Sequence, residues 1–470
     1  MKTRIMAVGT WLISTFLLPA QIFHVIYHFT GSSSPYAQGQ LLLTSNTLYG
    51  TTMGGGTSDR GTVFKINTNG SGYTVIKNFT ALDTNTSTNT DGAEPMAGLV
   101  MWSNQLFGTA FAGGSGGKGT VFSVNTDGTN YVVLNNFSVT NGKNPYVGLT
   151  LAGNILYGTT AAGGISNKGA IFQINTDGTG FGLVKSFLAS EGILLLGCVT
   201  VGSNTLYGTT YQGGVSNRGT IYSIGTDGNG FTILKTFSDG DGRQPRYGLV
   251  FCDNSLFGVT DGDGVNSNSV VFRINTDGNL YTVIKRFSEP DPVYGTNWDG
   301  SYLRGGMVMW NGVLYGTTRW GGLYGNGVVF RVNPDGTGFA VLKYFSAATG
   351  TSGGSYLNTD GMYPLGDLMV ANGVLYGTTQ YGGNYGCGTI YSLTIPPTPP
   401  LQVTNPSGHP LIFWSDDGMN RILQTTTDLT SGGWTNVTIL NWTNTVSNPQ
   451  QIGYQIAFPF DLPAVYFRLR

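Results

Sequence analysis

The pentapeptide Leu-Tyr-Gly-Thr-Thr, in close variants, starts at Leu48, Leu106, Leu156, Leu206, Leu256, Leu314 and Leu375, with 50 to 61 residues between successive copies. Each copy sits in a unit of four short apolar runs. In the fourth unit these are Gly197–Val201, Leu206–Thr210, Gly219–Ile224 and Phe231–Phe237. Such runs are too short for helices and rich in Val, Ile, Thr, Tyr and Phe, which predicts strands. Between the third and fourth runs lies Asp-Gly, as at Asp227 and Gly228. Glycine supplies the positive φ that a tight hairpin requires there. A unit of this size cannot bury its own faces, so neighbours must cover one another.

Four antiparallel strands repeated seven times give an all-β fold, a seven-bladed β-propeller of four-stranded blades. Inner strands are covered on both sides and read almost continuously apolar, whereas the outermost run is expected to turn Lys235 toward water. The seventh unit stops after its third strand, Gly388–Leu393, and Phe23–Phe29 reads as an orphan copy of the missing fourth. The N-terminal strand would close the ring and remove an exposed edge. The expected organisation is a signal peptide over 1–20, the propeller over 21–395, a stiff Pro-rich linker over 396–400 and a small C-terminal β-sandwich-like domain over 401–470. Trp414, Trp434 and Trp442 mark the change of character in that last segment. A structural cap, a sorting signal and a glycan-binding module are the uses open to it.

Charged residues make up only 10% of the chain and the formal charge is −1, so no cationic surface is offered to nucleic acid or to a membrane. Cys198, Cys252 and Cys387 stand at non-equivalent places in different units, which makes neither a disulfide framework nor a metal spacing. At the amino terminus, Lys2 and Arg4 precede an apolar run from Ile5 to Leu18 and then Pro19 and Ala20, the pattern of an export signal. A retained anchor is the competing reading, since Leu18 is a poor residue at the −3 position. A secreted or cell-surface monomer with no transmembrane segment in the mature chain is expected.

The Leu-Tyr-Gly-Thr-Thr unit with its following Gly-Gly and Gly-Thr, then a strand, Asp-Gly and an aromatic-led strand, resembles the GloVer tandem repeat of exported bacterial proteins. The resemblance covers about residues 22 to 395. It implies a propeller-like surface or secreted protein with varied carboxy-terminal attachment devices and no established activity, so no catalytic residue is carried over. The chain lacks the hydrophobic, basic-flanked tail of a membrane-sorted protein. Kelch propellers are a weaker resemblance.

In a four-stranded meander the Gly-Gly loop and the linker to the next blade emerge on one side, the upper face, where the linkers vary most. Three constellations fall there. Trp320, Tyr324, Tyr381 and Tyr385 lie in the Gly-Gly loops of blades six and seven, with Trp298 and Tyr302, and also Tyr294, Tyr356 and Tyr363, in the adjoining linkers. Sugar C–H faces stack on such rings, which suits a neutral polysaccharide or surface glycan; filling gaps between blades is the alternative. Asp239 and Asp241 before blade five, with Asp261 and Asp263 after its second strand, are the oxygen ligands expected to converge on Ca²⁺, the one cofactor the sequence suggests. Ordinary Asp-Gly turns, neutralised by Arg243 or Arg246, are the other reading. Arg60, Lys118, Lys168 and Arg218 recur before the closing glycine in blades one to four and give way to Asn268, Asn326 and Cys387. Local salt bridges are expected of them, in preference to a docking site for an anionic polymer.

Histidine is limited to His24, His28 and His409, so no Ser-His-Asp or Cys-His set can be assembled, and no zinc motif is present. The sequence therefore reads as a non-enzymatic binding or adhesion scaffold. A polysaccharide lyase or glycosidase using Asp pairs such as Asp241 and Asp263, and a purely structural surface protein, remain as alternatives.

Overall fold

The computed structural model describes residues 22–31, 36–262, 268–350 and 356–395 and, between 402 and 469, the backbone of six short strands. The export-signal segment 1–20 and the linker 396–400 lie outside the described residues. Phe23–Leu393 forms one compact unit, and the strands from Gln402 onward belong to a second. Within that second unit the backbone forms two antiparallel sheets of three strands each.

The first unit is the seven-bladed propeller. In blade three, Thr150–Ala152, Ile155–Thr160, Ala170–Asn175 and Gly182–Ser186 hydrogen-bond in that order, and the other blades repeat the pattern. Blade seven is assembled from both ends of the unit: Met369–Ala371, Val374–Tyr381 and Thr389–Thr394 are completed by Phe23–His28. That latch strand copies even the irregularity of its counterparts. Its ladder slips by one residue between Val25 and Tyr27, as the third and fourth strands of blade three slip between Ile171 and Phe172. Phe29 N–H donates to Gly388 O, the bond that Phe187 makes to Gly169 in blade three.

Each letter of the pentapeptide has a separate duty, seen in Leu156 to Thr160. Leu156 is fully buried in the core shared with blade two, and Tyr157 crosses into the core shared with blade four. Gly158 faces the Phe172 ring so closely that a Cβ would stand 2.3 Å from Cζ. Thr159 Oγ1 donates to Gly197 O of the next blade at 3.2 Å, and Thr160 Oγ1 accepts from Ala170 N–H at 3.2 Å. The first threonine repeats its bridge around the ring: Thr51 to Ala97 O, Thr109 to Val147 O, Thr209 to Tyr247 O, and Thr378 across the closure to Ala37 O. The core is correspondingly a set of clusters between blades. Ile26 and Phe29 of the latch pack with Leu41, Leu48, Phe64 and Ile66 of blade one.

Two details differ from the sequence reading. Inner strands begin later, at Thr200 and not at Gly197 in blade four. The residues before them bend around the axis, where neighbouring threonine hydroxyls take their carbonyls in place of a ladder. Lys235 does not point into water: it pairs with Asp241 at 2.5 Å and lies 4.6 Å from the Tyr281 ring centroid. Lys77–Asp91, Lys185–Glu191, Lys285–Asp299 and Lys343–Asp360 repeat that pair, so that in blades one, three, four, five and six the outer strand is tied to the linker that follows.

Gly158→Ala is expected to destabilise the ring by ~1–3 kcal/mol through overpacking against Phe172. Thr159→Val, which strands the Gly197 carbonyl, should cost about 1 kcal/mol. Urea unfolding of each variant checks both, and a Gly158→Ala midpoint at or above wild type would contradict the packing account.

Candidate functional site

The same residue of every inter-blade linker is held in the left-handed region without being glycine. Tyr36, Glu94, Asn144, Leu194, Gln244, Tyr302 and Tyr363 have φ between 46° and 59°. Such backbone costs on the order of 1 kcal/mol per residue and persists only where surrounding bonds hold it. Here the carbonyl of the strained residue accepts the N–H of the residue that follows the pentapeptide, as in Phe111 to Glu94, Tyr211 to Leu194 and Arg319 to Tyr302. The turn brings the linker into the axis at the upper end. Three residue positions per blade are thereby assembled around the upper mouth: the strained residue, the one two places after it, and the one after the pentapeptide. None of the three is fixed by the repeat. The third of them reads Met53, Phe111, Ala161, Tyr211, Asp261, Arg319 and Gln380 around the ring.

Below the mouth lies an axial cavity of ≈ 280 Å³, walled in part by Gln38, Tyr146, Tyr247, Arg246, Arg304 and Asp367. Glycines let the inner segments approach each other around it; a Cβ on Gly39 would lie 2.5 Å from the Ala97 carbonyl carbon.

The predicted aromatic residues divide into two groups. Trp320 and Tyr302 stand 4.6 Å apart, Arg319 lies over Trp320 at 5.1 Å and over Tyr363 at 5.7 Å, Tyr381 meets Tyr363 at 6.0 Å, and Tyr36 meets Tyr381 at 5.5 Å. These residues make an arc around the mouth over blades six, seven and one. Trp298 is elsewhere, packed edge-on against Phe339 and under Lys285 while 56% exposed. Tyr324 and Tyr385 occupy the equivalent outer place in their two loops, 51% and 58% exposed. Neither has a ring contact with the arc among the described residues.

The acidic residues are likewise dispersed among separate cations. Asp239 pairs with Arg218 at 2.7 Å. Asp241 is taken by Lys235 and accepts from Ser238 Oγ at 2.7 Å. Its place in the repeat is that of Asp91, Glu191, Asp299 and Asp360, all of which cap the same loop. Asp261 alone faces the axis, buried at 6% exposure, with Arg246 and Arg304 3.9 and 3.8 Å from Oδ2. Asp263 lies outside the described residues. Among the described residues no three Asp, Glu, His or Cys side chains gather as metal ligands would. Of the basic series, Arg60 pairs with Glu94 at 3.3 Å, so it and Arg218 make local bridges.

Of the arginines at the mouth, the sequence reading names only Arg246, as a neutraliser of the acidic residues, and neither Arg304 nor Arg319. Aligning the units would have found them, because Arg246 and Arg304 stand where other blades carry Gln38, Met96, Tyr146, Leu196 and Leu365, and Arg319 follows a pentapeptide.

A seven-bladed ring with constant blades and a variable axial mouth defines a repeat propeller in which the side chains around the mouth are set by the linkers. The Gloeobacter/Verrucomicrobia repeat model matches residues 12–197 and 193–358, and the chain belongs to that family. No curated protein sequence matches it. Among solved structures it is similar to an oligogalacturonate lyase from Vibrio parahaemolyticus, at 9% identity and TM-score 0.45 over 80% of this chain and 97% of that one. A Mycobacterium tuberculosis puromycin-hydrolyzing peptidase matches at 10% identity and TM-score 0.46, over 81% of this chain and 59% of that one. A chain of a nidogen/laminin complex matches at 15% and 0.36, over 54% and 80%. Likeness this distant carries no argument about activity.

Deep in the cavity wall, burial pushes the Asp367 carboxyl above its ordinary range, against a hydrogen bond from Gly306 N–H. The folded chain therefore holds this proton more tightly than the unfolded chain, so the contribution to stability is present at acid pH and lost as pH rises through the folded value. Asp367→Asn keeps an acceptor for Gly306 and removes the buried charge. It is expected to melt above wild type at pH 7, with the advantage shrinking toward about pH 4; an equal or lower melting temperature at pH 7 would contradict this.

Proposed function

We propose that the chain is a non-enzymatic binding scaffold, exported to the cell surface or beyond, whose ligand is a polysaccharide laid across the aromatic arc of the upper mouth. The arc is the observation that carries this reading: Tyr302, Trp320, Tyr363, Tyr381 and Tyr36 follow one another with 4.6 to 6.0 Å between the ring pairs in contact. Sugar rings present flat C–H faces, and a curved row of aromatic rings, one pair tilted and two edge-to-face, suits a chain of them better than it suits one small metabolite. Gln38 and Gln380 beside the arc supply amide donors and acceptors for hydroxyl groups. The residues that recur in the repeat already have geometric duties in strands, turns and blade contacts. Those that vary are concentrated at the mouth, where recognition can change without cost to the frame. The apolar stretch from Ile5 to Leu18 after Lys2 and Arg4 supports export.

Affinity electrophoresis against a panel of soluble neutral and acidic polysaccharides, run beside a reducing-end assay, tests the proposal. Retardation by at least one polymer without new reducing ends is expected. Trp320→Ala should weaken that binding by about three- to tenfold through lost stacking, and Trp298→Ala, which packs outside the arc, should leave it unchanged. Accumulating reducing ends would overturn the non-enzymatic reading, and no retardation by any polymer would leave a structural surface protein.

A further inference from the structure

Arg246, Arg304 and Arg319 converge from blades five and six on the upper end of the axial cavity. Arg246 Nη2 donates to Tyr146 Oη at 2.8 Å and its guanidinium lies against the rings of Tyr146 and Tyr211. Arg319 Nη2 donates to Gln380 Oε1 at 3.2 Å. Arg304 has the Tyr302 ring at 5.7 Å and Asp261 at 3.8 Å. The Nε atoms of all three are buried and meet no acceptor among the described residues. Asp261, the carboxylate among them, is too far from either neighbouring guanidinium for a direct hydrogen bond, and the Tyr211 hydroxyl is the polar group beside it.

Three cations beside Asp261, with Asp367 in the wall of the same cavity, leave an excess of positive charge in a half-buried place. Clustered like charges with unused donors are unfavourable unless a counter-charge shares them. Burial pulls the Arg319 guanidinium down, and Arg304 beside it pulls the same way, whereas Arg246 is shifted up against its burial by Tyr247, Tyr146 and Asp261. Burial also pushes the Asp261 carboxyl up in spite of Arg304 and Arg246. The arrangement cannot be ascribed to the repeat, since the equivalent places in the other blades are neutral.

We propose that the upper end of the axial cavity is an oxyanion site, in which Arg304 and Arg319, supported by Arg246, donate to a carboxylate, sulfate or phosphate group of a ligand entering from the mouth. Guanidinium forks match the paired oxygens of all three groups. Asp261 holds the guanidinium of Arg304 in place and competes with the ligand for it. The cavity of ≈ 280 Å³ has room for such a group with a small substituent. This inference does not rest on the glycan reading, because its donors are the guanidinium groups, whatever ligand carries the oxyanion, even though Arg304 and Arg319 lie against rings of the arc.

Calorimetric titration of the full chain with sodium sulfate, sodium phosphate and sodium acetate, in low-salt buffer with sodium chloride as control, tests it. At least one oxyanion is expected to bind saturably with 1:1 stoichiometry below about 10 mM and to raise the melting temperature. Arg304→Gln and Arg319→Gln should each weaken binding at least tenfold. Asp261→Asn should tighten it several-fold, a gain that a merely structural carboxylate would not produce and that can be read even where an arginine variant folds poorly. Preference for acetate assigns the site to carboxylates, and preference for sulfate or phosphate assigns it to tetrahedral anions. Saturation by none of the three, or binding unchanged in both arginine variants, overturns the proposal. Polysaccharide binding by the arc would be unaffected by that result.

Discussion

Everything in the propeller depends on the contact that one blade makes with the next. A single four-stranded sheet has two faces to cover and no means of covering either. The pentapeptide supplies the means: an aromatic ring carried into the neighbour's core and a threonine hydroxyl donated to the neighbour's innermost carbonyl, as Tyr157 and Thr159 do toward blade four. Burial of each large side chain is worth roughly 1.5–3 kcal/mol, so stability accumulates around the ring in proportion to the contacts that are closed. The last contact differs from the others because it joins chain ends. Ile26 and Phe29 reach blade one from the latch, while Thr378 reaches Ala37 near the axis, so the closure is fastened at both its outer and inner radius.

A frame built this way leaves few residues free, and the ones it leaves free are not scattered. The left-handed turn that carries each linker into the axis fixes a backbone, through bonds such as Arg319 N–H to Tyr302 O, without fixing a side chain. Seven repetitions gather the unconstrained side chains into one circle. In this chain the circle is asymmetric in charge: the arginines gather over blades five and six, whereas aromatic rings stand over every blade but the fifth, with Phe111, Tyr146 and Tyr211 over two, three and four besides the arc over six, seven and one. The tolerance of the turn for Glu, Asn, Leu, Gln and Tyr alike is what allows the circle to vary while the ring does not.

Blade number, strand order and the latch were all legible in the sequence, because each is dictated by period-two patterning and by repetition. Fine placement was not, since it turns on contacts that a single unit does not contain. Lys235 looks solvent-facing on its own strand, yet the following linker returns Asp241 to it; only alignment of Asp91, Glu191, Asp241, Asp299 and Asp360 exposes that pairing. Asp239, Asp241 and Asp261 are near in sequence and separated in the fold, because the first two stay where the linker leaves the outer strand and Asp261 stands at the mouth, at the end of an inner strand. Trp298 and Trp320 are similar in kind, but one falls outside the left-handed turn and the other just beyond a pentapeptide, and that decides which joins the arc.

Closure by the N-terminal strand is the claim on which the shared mouth depends, and a cross-link reads it directly. His24 and Ser392 face each other across the latch ladder, 368 positions apart in sequence. Cross-strand neighbours of this kind bring Cβ atoms within reach of a disulfide. With Cys198, Cys252 and Cys387 replaced by alanine, His24→Cys and Ser392→Cys together are predicted to oxidise to an intramolecular bond in the monomer, with faster migration in non-reducing electrophoresis and a higher melting temperature. Oxidation that yields only linked dimers, or none at all under the same conditions, would mean that the strand lies elsewhere and that the ring is not closed in this way.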